Sequence, residues 1–303
     1  MGNHPVKIIV SVVAMVLLAN VSFGADAVKL RYVQSFYVDG KEVGLKFPEG
    51  VACDDKGRFI VADSGNGRLV AFTVVDGKPV PENEIRVPEL SFPIRVRVNS
   101  KGEIFALDGR EKRLVRLSPA GEFRGYVDAS GMSSPATVVA RSFDIGKDDS
   151  ICLLDVFAGR VLILTPDGKF ARQVDFPKDY EVISDLAVDR AGTLYLIDSV
   201  KAAVSIAAKG SAQFSPLTGS MRGTMKFPAT ITTDGRGNVY VADKNGGVVF
   251  ALGPDGSLKG EQLKMGWTEG FLYYPEQMCI NDQEEMAIAD RGNNRVQLFS
   301  VKR

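Results

Sequence analysis

Short apolar runs separated by turn residues recur along the chain from Val28 to Val301. In the first unit, the runs Val51–Cys53 and Phe59–Ala62 flank the turn Asp54-Asp-Lys-Gly57, and Asp63 closes the second run. Turns that open with Asp and place Gly in a left-handed position join antiparallel strands. The pattern therefore predicts an all-β chain of short strands and tight turns.

The same unit returns at intervals of roughly 45 residues, a period typical of propellers and solenoids. Each copy has an aspartate after its second strand; these are Asp63, Asp108, Asp155, Asp198, Asp243 and Asp290. The copies before the last read as four strands each, so the six copies predict a six-bladed β-propeller of four-stranded antiparallel blades. The last copy lacks a fourth strand, and Val28–Val38 alternates like a strand before the first copy. We expect this N-terminal strand to close the last blade, because closure removes exposed sheet edges.

The first and last copies carry the fullest motif, Ile60-Val-Ala-Asp-Ser-Gly-Asn-Gly-Arg68 and Ile288-Ala-Asp-Arg-Gly-Asn-Asn-Arg295. The order Pro-x-Gly, Val-Ala-x-Asp, Gly, Tyr/Phe-Val-Ala-Asp, Asn-x-Arg resembles NHL repeats, and the resemblance covers Lys29 to Val301. The fourth copy departs most, since Asp198-Ser-Val-Lys-Ala-Ala203 lacks both the Asn and the Arg. The resemblance implies a single NHL-type propeller domain over residues 25–303.

An arginine follows the repeat aspartate by five residues in four copies, giving Asp63/Arg68, Asp108/Arg113, Asp155/Arg160 and Asp290/Arg295. Such a pair across a tight strand–loop–strand turn can satisfy turn amides and form a charge-assisted hydrogen bond. The aspartates recur once per blade, including Asp198 and Asp243. We therefore interpret all six as structural rather than as a ring of ligands.

Residues 1–24 have the features of a secretory signal peptide. Lys7 precedes an apolar run, Ile8–Ala19, and small residues allow cleavage after Gly24 or Ala27. The run is shorter than the ~20 residues that span a bilayer, which disfavours an uncleaved anchor. We expect an exported protein, periplasmic or extracellular, with no membrane span after signal removal.

Charge and histidine content exclude several functions. Lys plus Arg and Asp plus Glu are both 37, so there is no basic excess of the kind that nucleic-acid binding requires. The one histidine, His4, lies in the expected signal peptide. Catalysis by Ser-His-Asp or Cys-His, and zinc sites built on histidine, are therefore excluded. Some NHL-like propellers are lyases that use histidine, and this sequence has no residue to match theirs.

The three cysteines, Cys53, Cys152 and Cys279, lie in apolar strand patterns, which favours small buried residues over a disulfide framework. Ring closure makes the strands of Cys53 and Cys279 neighbours, but their offsets from the repeat aspartates differ by one. We expect the two side chains on opposite faces, and so no disulfide between them.

Polar residues around the start of each first strand differ from blade to blade, although a repeat scaffold keeps such positions alike unless they serve a local purpose. In a propeller these positions surround the channel mouth, where ligands usually bind. The candidate site is the set Glu49, Arg95, Arg97, Arg141, Asp144, Asp185, Glu276 and Gln277. The arginines favour an anionic group, whereas Glu49, Asp185 and Glu276 could hold a hard cation such as Ca²⁺. The alternative is an Arg97–Asp144 ion pair between blades, with the rest a solvated rim.

The complete repeat and the missing histidine favour a non-catalytic exported propeller, a monomeric ring that binds a protein partner or a small ligand without a cofactor. The alternative is a hydrolase or lactonase in which a carboxylate-held divalent metal ion polarises the substrate. Such centres usually include an asparagine, which the first-strand positions lack. A third interpretation is a sugar- or polymer-binding module that uses Trp267 and Tyr273. We expect their aromatic run, up to Tyr274, to pack mainly against the N-terminal strand.

Overall fold

The computed structural model describes residues 27–75, 77–132 and 137–302. Its described residues form six four-stranded antiparallel sheets. The strands of blades 1 to 3 are β2 (Gly50–Cys53), β3 (Arg58–Asp63), β4 (Arg68–Val75), β5 (Lys78–Ile85), β6 (Pro93–Val98), β7 (Ile104–Asp108), β8 (Leu114–Leu117), β9 (Phe123–Tyr126), β10 (Ala140–Ile145), β11 (Ile151–Asp155), β12 (Arg160–Leu164) and β13 (Phe170–Asp175). Those of blades 4 to 6 are β14 (Ile183–Val188), β15 (Leu194–Asp198), β16 (Ala203–Ala207), β17 (Ser215–Pro216), β18 (Pro228–Thr233), β19 (Val239–Asp243), β20 (Val248–Leu252), β21 (Leu258–Gln262), β22 (Pro275–Ile280), β23 (Glu285–Asp290), β24 (Arg295–Lys302) and β1 (Lys29–Phe36).

The last blade is built from both ends of the described chain. Its strand order is β1-β24-β23-β22, and β1 pairs antiparallel with β24, Lys29 lying opposite Lys302 and Phe36 opposite Val296. The first strands of successive blades contact one another around a closed ring, including β22 against β2. The predicted six-bladed all-β propeller and its closure by the N-terminal strand are therefore confirmed.

Each blade packs its two faces against two different neighbours. Val51 of blade 1 shares a core cluster with Ala287 of blade 6, whereas the next residue, Ala52, lies in the cluster shared with blade 2. Successive side chains of a strand point to opposite faces, so an inner strand covered on both sides is apolar throughout. This explains unbroken runs such as Phe59–Ala62, which is fully buried.

Cys53 and Cys279 form a disulfide across the junction of blades 6 and 1, with their Cα atoms 5.9 Å apart. The prediction that they do not pair is wrong. The one-residue offset does place them on opposite faces of equivalent strands, but adjacent blades pack face to face, so opposite faces are what a bridge between neighbours requires. Both side chains belong to the same core cluster between these blades. The third cysteine, Cys152, is free and buried, as expected.

The segment predicted to be a signal peptide, residues 1–24, lies outside the described residues. The domain boundary and the export of the protein therefore stay predictions. Among the residues that are described, no helix has the length and apolar character needed to cross a bilayer.

Candidate active site

The six repeat aspartates are buried, and each fixes the loop that leads into the first strand of its blade, the lead-in loop. Asp63 accepts a 2.7 Å hydrogen bond from the backbone N–H of Lys46, and Asp290 accepts one of 2.7 Å from that of Tyr273. The equivalent bonds in the other blades are made by Asp108, Asp155, Asp198 and Asp243. These carboxylates thus hold the loops on which the candidate site is built.

Three of the four expected Asp–Arg pairs form through the arginine Nε: Arg68 to Asp63 at 2.7 Å, Arg160 to Asp155 at 3.0 Å and Arg295 to Asp290 at 2.8 Å. The expected Asp108–Arg113 pair does not form. Asp108 already accepts four backbone N–H bonds, and Arg113 instead lies over the Tyr126 ring, its guanidinium carbon 3.3 Å from the ring centroid. Although burial acts to raise it, these donors hold the pKa of Asp108 below its usual value.

Four of the eight candidate residues, Arg97, Asp144, Asp185 and Gln277, form hydrogen bonds to neighbouring blades. We call them the polar belt. Arg97 Nε donates to Asp144 at 2.6 Å, and the second oxygen of Asp144 accepts from the backbone N–H of Val188 at 2.9 Å. This ion pair, which the sequence offered as the alternative to a ligand site, joins blades 2, 3 and 4.

The remaining belt residues join the other blades. Asp185 accepts hydrogen bonds from the hydroxyls of Ser142 at 2.5 Å and Thr230 at 2.6 Å. The Gln277 side-chain oxygen accepts from the backbone N–H groups of Val51 at 3.1 Å and Val96 at 3.0 Å. Asp185 and Gln277 are both almost fully buried, so their polar atoms serve the ring itself.

The other four candidates, Glu49, Arg95, Arg141 and Glu276, line one cavity of about 310 Å³ at the channel end formed by the lead-in loops. We call this end the loop mouth. Lys112 and Lys244, from loops that link second to third strands, line the same cavity.

Two carboxylates lie on the side of the cavity formed by blades 6 and 1, and each has a cationic partner. Glu276 accepts a hydrogen bond from Lys244 Nζ, and Glu49 Oε1 lies 3.2 Å from Arg291 Nε. Burial and the negative charge of Glu276 raise the pKa of Glu49, although Arg291 and Arg95 oppose the shift. A carboxyl group with a raised pKa in a cavity is suited to proton transfer nearer neutral pH.

The side formed by blades 2 and 3 carries three cations without a carboxylate partner among the described residues: Arg95, Arg141 and Lys112. Arg95 is 8% exposed, and its Nη1 donates to backbone oxygens of Ile94 at 3.0 Å and Glu49 at 3.5 Å. Its Nε is buried without a hydrogen-bond partner in the described chain. The cavity is therefore cationic on one side and holds charge-paired carboxylates on the other.

The carboxylates expected to hold Ca²⁺ do not converge. Asp185 is occupied by two hydroxyls, Glu276 by Lys244 and Glu49 by Arg291. Within the described ranges, no three His, Cys, Asp or Glu side chains are placed to hold a metal ion. Ca²⁺ binding stays a prediction without a geometric site, and we derive no chemical step through a metal.

Three cavity or rim residues were absent from the predicted set: Lys112, Lys244 and Arg291. All three lie in loops that follow a repeat aspartate, and Lys244 and Arg291 follow it directly. These residues could have been predicted from the repeat alignment. The loops after the repeat aspartates lie at the loop mouth together with the lead-in loops, so charged residues in them are candidates for the same site.

The aromatic run before β22 is only partly packed. Leu272 is buried, but Trp267 is 74% exposed, with its ring 5.8 Å from that of Tyr273. The expected burial of this run is therefore wrong for Trp267, Phe271 and Tyr274, which are exposed.

Residues 45–72 match the family model described as the NHL repeat. The resemblance seen in the sequence is thus confirmed: the chain is a six-bladed β-propeller with an NHL repeat in its first blade. No curated protein matches the chain.

Solved structures share the architecture over almost the whole described propeller. The chain is similar to virginiamycin B lyase from Staphylococcus aureus, with 14% identity, 90% of this chain and 99% of that chain covered, and a TM-score of 0.62. It is similar to a gluconolactonase from Xanthomonas campestris, with 13% identity, coverage of 92% and 96%, and a TM-score of 0.66. It is also similar to the PQQ-bound aldose sugar dehydrogenase from Streptomyces coelicolor, with 15% identity, coverage of 92% and 99%, and a TM-score of 0.62.

These comparisons contradict the prediction of a non-catalytic binding or scaffold module, since the three similar structures named above are enzymes. They support the hydrolase alternative better. The prediction of a non-catalytic module rested largely on the missing histidine. Its absence excludes imidazole chemistry, but carboxylates, lysines and arginines can still transfer protons and stabilise charge.

Proposed function

We propose that this protein is an enzyme that hydrolyses a small ester or lactone in the cavity at the loop mouth. The observation that carries the proposal is the placement of Glu49 and Glu276, which come from adjacent blades, line one cavity and each contact a cation. The gluconolactonase with the same architecture supports it as an analogy of fold.

In the proposed reaction, Glu49 as a carboxylate accepts a proton from a water molecule as the water oxygen bonds to the acyl carbon. The acyl carbon–oxygen bond then breaks, and the leaving oxygen takes the proton from Glu49. Lys244, which lines the cavity and contacts Glu276, is the cation placed to stabilise negative charge on the acyl oxygen. The products are an alcohol and a carboxylic acid, joined in one molecule when the substrate is a lactone.

We also propose that the protein is exported to a periplasmic or extracellular compartment and works there as a monomeric ring on a small-molecule partner. The Cys53–Cys279 disulfide supports this, because disulfides persist in oxidising compartments. The signal-like composition of residues 1–24 supports it independently.

The test is a panel of small esters and lactones, with acid release followed by a pH indicator, for wild type, Glu49→Gln and Glu122→Gln. Glu122 is exposed and pairs with Arg124 at 2.7 Å on the surface, so its change is the matched control. We expect at least one substrate whose kcat falls about 100-fold or more in Glu49→Gln and is unchanged in the control. Each variant's thermal melt shows whether it is folded.

Two results would overturn the proposal. One is turnover in Glu49→Gln equal to that of wild type, and the other is no hydrolysis across the panel. Repeating the assay with EDTA and with added Ca²⁺ tests the metal-dependent form of the reaction separately.

A further inference from the structure

The cavity at the loop mouth has an excess of cationic side chains on one side only. Lys244 and Arg291 are matched by Glu276 and Glu49 on the side of blades 6 and 1. On the opposite side, blades 2 and 3 contribute two arginines and a lysine that form no ion pair with a described carboxylate, although the charge of Arg95 also acts on Glu49. A polar cavity wall with uncompensated positive charge attracts anions.

We propose that Arg95, Arg141 and Lys112 form a subsite for an anionic group of the substrate, a carboxylate or a phosphate. This deepens the proposed function, on which it rests for the identity of the scissile bond. Anion binding itself requires no turnover and is measured independently.

Arg95 provides the strongest evidence. Its side chain is more than nine-tenths buried, lines the cavity and has a buried Nε without a partner in the described residues. Buried polar atoms in folded proteins nearly always have a hydrogen-bond partner, so the unpaired Nε–H leaves the Arg95 guanidinium with donor capacity that the described residues do not satisfy. The planar donors of a guanidinium match the oxygens of a carboxylate or phosphate.

Arg141 and Lys112 reach the cavity from other elements. Arg141 lies in β10 and donates its Nε to the backbone oxygen of Ser184 at 3.2 Å, which fixes its direction. Lys112 lies in the loop between β7 and β8 with a positive φ of 55°, a conformation that a lysine rarely adopts and that a backbone hydrogen bond to Asp108 holds. Three cations from two blades thus converge on one wall.

The opposite wall sets the orientation of the ligand. Glu49 and Glu276 repel an anionic group, so the anion lies against the arginines and the scissile bond lies towards Glu49. The substrate class is therefore an ester or lactone that carries a separate acidic group, rather than a neutral one.

The direct test is calorimetric titration with inorganic phosphate and, separately, with acetate, at constant ionic strength set by chloride. The proteins are wild type, Arg95→Met, Arg141→Gln and the control Lys147→Gln, which removes one positive charge at the other end of the channel. We expect saturable binding of at least one anion, weakened tenfold or more in both arginine variants and less than twofold in the control. Preference for acetate or phosphate identifies the anionic group.

The exposed Arg141 keeps the test usable if Arg95→Met fails to fold. The proposal is overturned if neither anion binds saturably to wild type, or if Lys147→Gln weakens binding as much as Arg141→Gln does.

A second experiment separates this inference from the proposed function. In Glu49→Gln we expect anion binding to persist while hydrolysis is lost. Anion binding by a wild type that hydrolyses no substrate would refute the proposed reaction but not the subsite.

A comparison of KM values tests the subsite during turnover. For wild type and Arg141→Gln, KM is measured on an acidic ester and on its neutral amide-capped analogue. We expect Arg141→Gln to raise KM for the acidic ester alone, and equal KM values for both esters in wild type overturn the subsite.

Discussion

The two ends of the propeller have cavities of similar volume, but they differ in how many of their lining cations are paired with carboxylates. At the end opposite the loop mouth, the turns that join first to second strands surround about 320 Å³ and form what we call the turn mouth. There Lys147 pairs with Asp55, and Arg190 pairs with Asp282. Among the described lysines and arginines that line it, Lys56 alone forms no ion pair with a carboxylate.

At the loop mouth, three lining cations have no such partner, and one of them is buried. Charges that are matched within the protein maintain the ring, whereas unmatched charges remain available to a ligand. The difference suggests that a repeat protein's functional face can be found by asking which end leaves charge uncompensated, rather than which end has the larger cavity.

The largest expected effect comes from a comparison of two aspartates in blade 1. Asp63 holds a loop at the loop mouth, and Asp54 lies at the turn mouth. Asp63→Ala leaves the backbone N–H of Lys46 and part of the buried Arg68 without an acceptor, and we expect a loss of about 3–5 kcal/mol in the free energy of unfolding. Asp54→Ala removes turn hydrogen bonds to Lys56 and Arg58 and costs about 1 kcal/mol. Urea denaturation measures both, and equal losses would contradict the assignment of Asp63 as the anchor of the loop mouth.

The next prediction separates stability from binding. Replacing Cys53 and Cys279 together by Ser removes the disulfide at the turn mouth, and we expect a loss of about 2–4 kcal/mol. Phosphate or acetate affinity at the loop mouth should not change, since the disulfide lies at the opposite end of the channel. A denaturation curve of wild type with and without reductant is the matched control, and altered anion affinity in the folded double variant would show that the two mouths are coupled.

The dependence of stability on pH tests the half-buried carboxyl group of Glu49 at the loop mouth. Because the pKa of Glu49 is raised in the folded state above its ordinary value of 4.5, the folded protein binds more protons than the unfolded chain between the ordinary and the raised value. Glu49 therefore favours folding most below pH 4.5, and this contribution is lost as pH rises through the raised pKa. We expect the stability of wild type relative to Glu49→Gln to fall over that window in a urea series, and a constant or rising difference would contradict the shift.

The smallest expected effect is at the surface of the turn mouth. Lys147 lies 3.6 Å from Asp55, and both side chains are largely exposed. Because solvent screens such a pair, Lys147→Ala should change the free energy of unfolding by less than about 1 kcal/mol. A larger change in a thermal melt would mean that the turn mouth is more than a solvated rim.

The strands and ring closure follow from local signals, which is why the sequence predicted them. The repeat aspartates, the turn glycines and the alternation in β1 each act within one blade or one strand pair. Positions at the loop mouth were also predictable, because repeat alignment places Glu49 and Glu276 equivalently in their blades.

Other features depend on packing between blades that are distant in sequence. In the repeat alignment, Asp185 and Gln277 are equivalent to residues at the loop mouth. Their side chains are nevertheless hydrogen-bonded to neighbouring blades, Asp185 to two hydroxyls and Gln277 to two backbone N–H groups. The disulfide was missed because facing residues of adjacent blades come from opposite strand faces. The Asp108–Arg113 pair failed because backbone donors had already filled the carboxylate. The first two errors arose where contacts between blades decide the partner, whereas the third arose from backbone donors within blade 2.

The disulfide also changes the topology of the chain. Cys53 and Cys279 are separated by 226 residues, so most of the polypeptide forms a covalent circle with two short arms, and those arms pair with each other in the last blade. A single cut by a protease anywhere in the circle leaves one covalently connected molecule. Nicked protein should therefore run as two fragments on a gel only after reduction. Oxidised protein should also tolerate a peptide link between the paired ends of β1 and β24 and the opening of new ends in a surface loop.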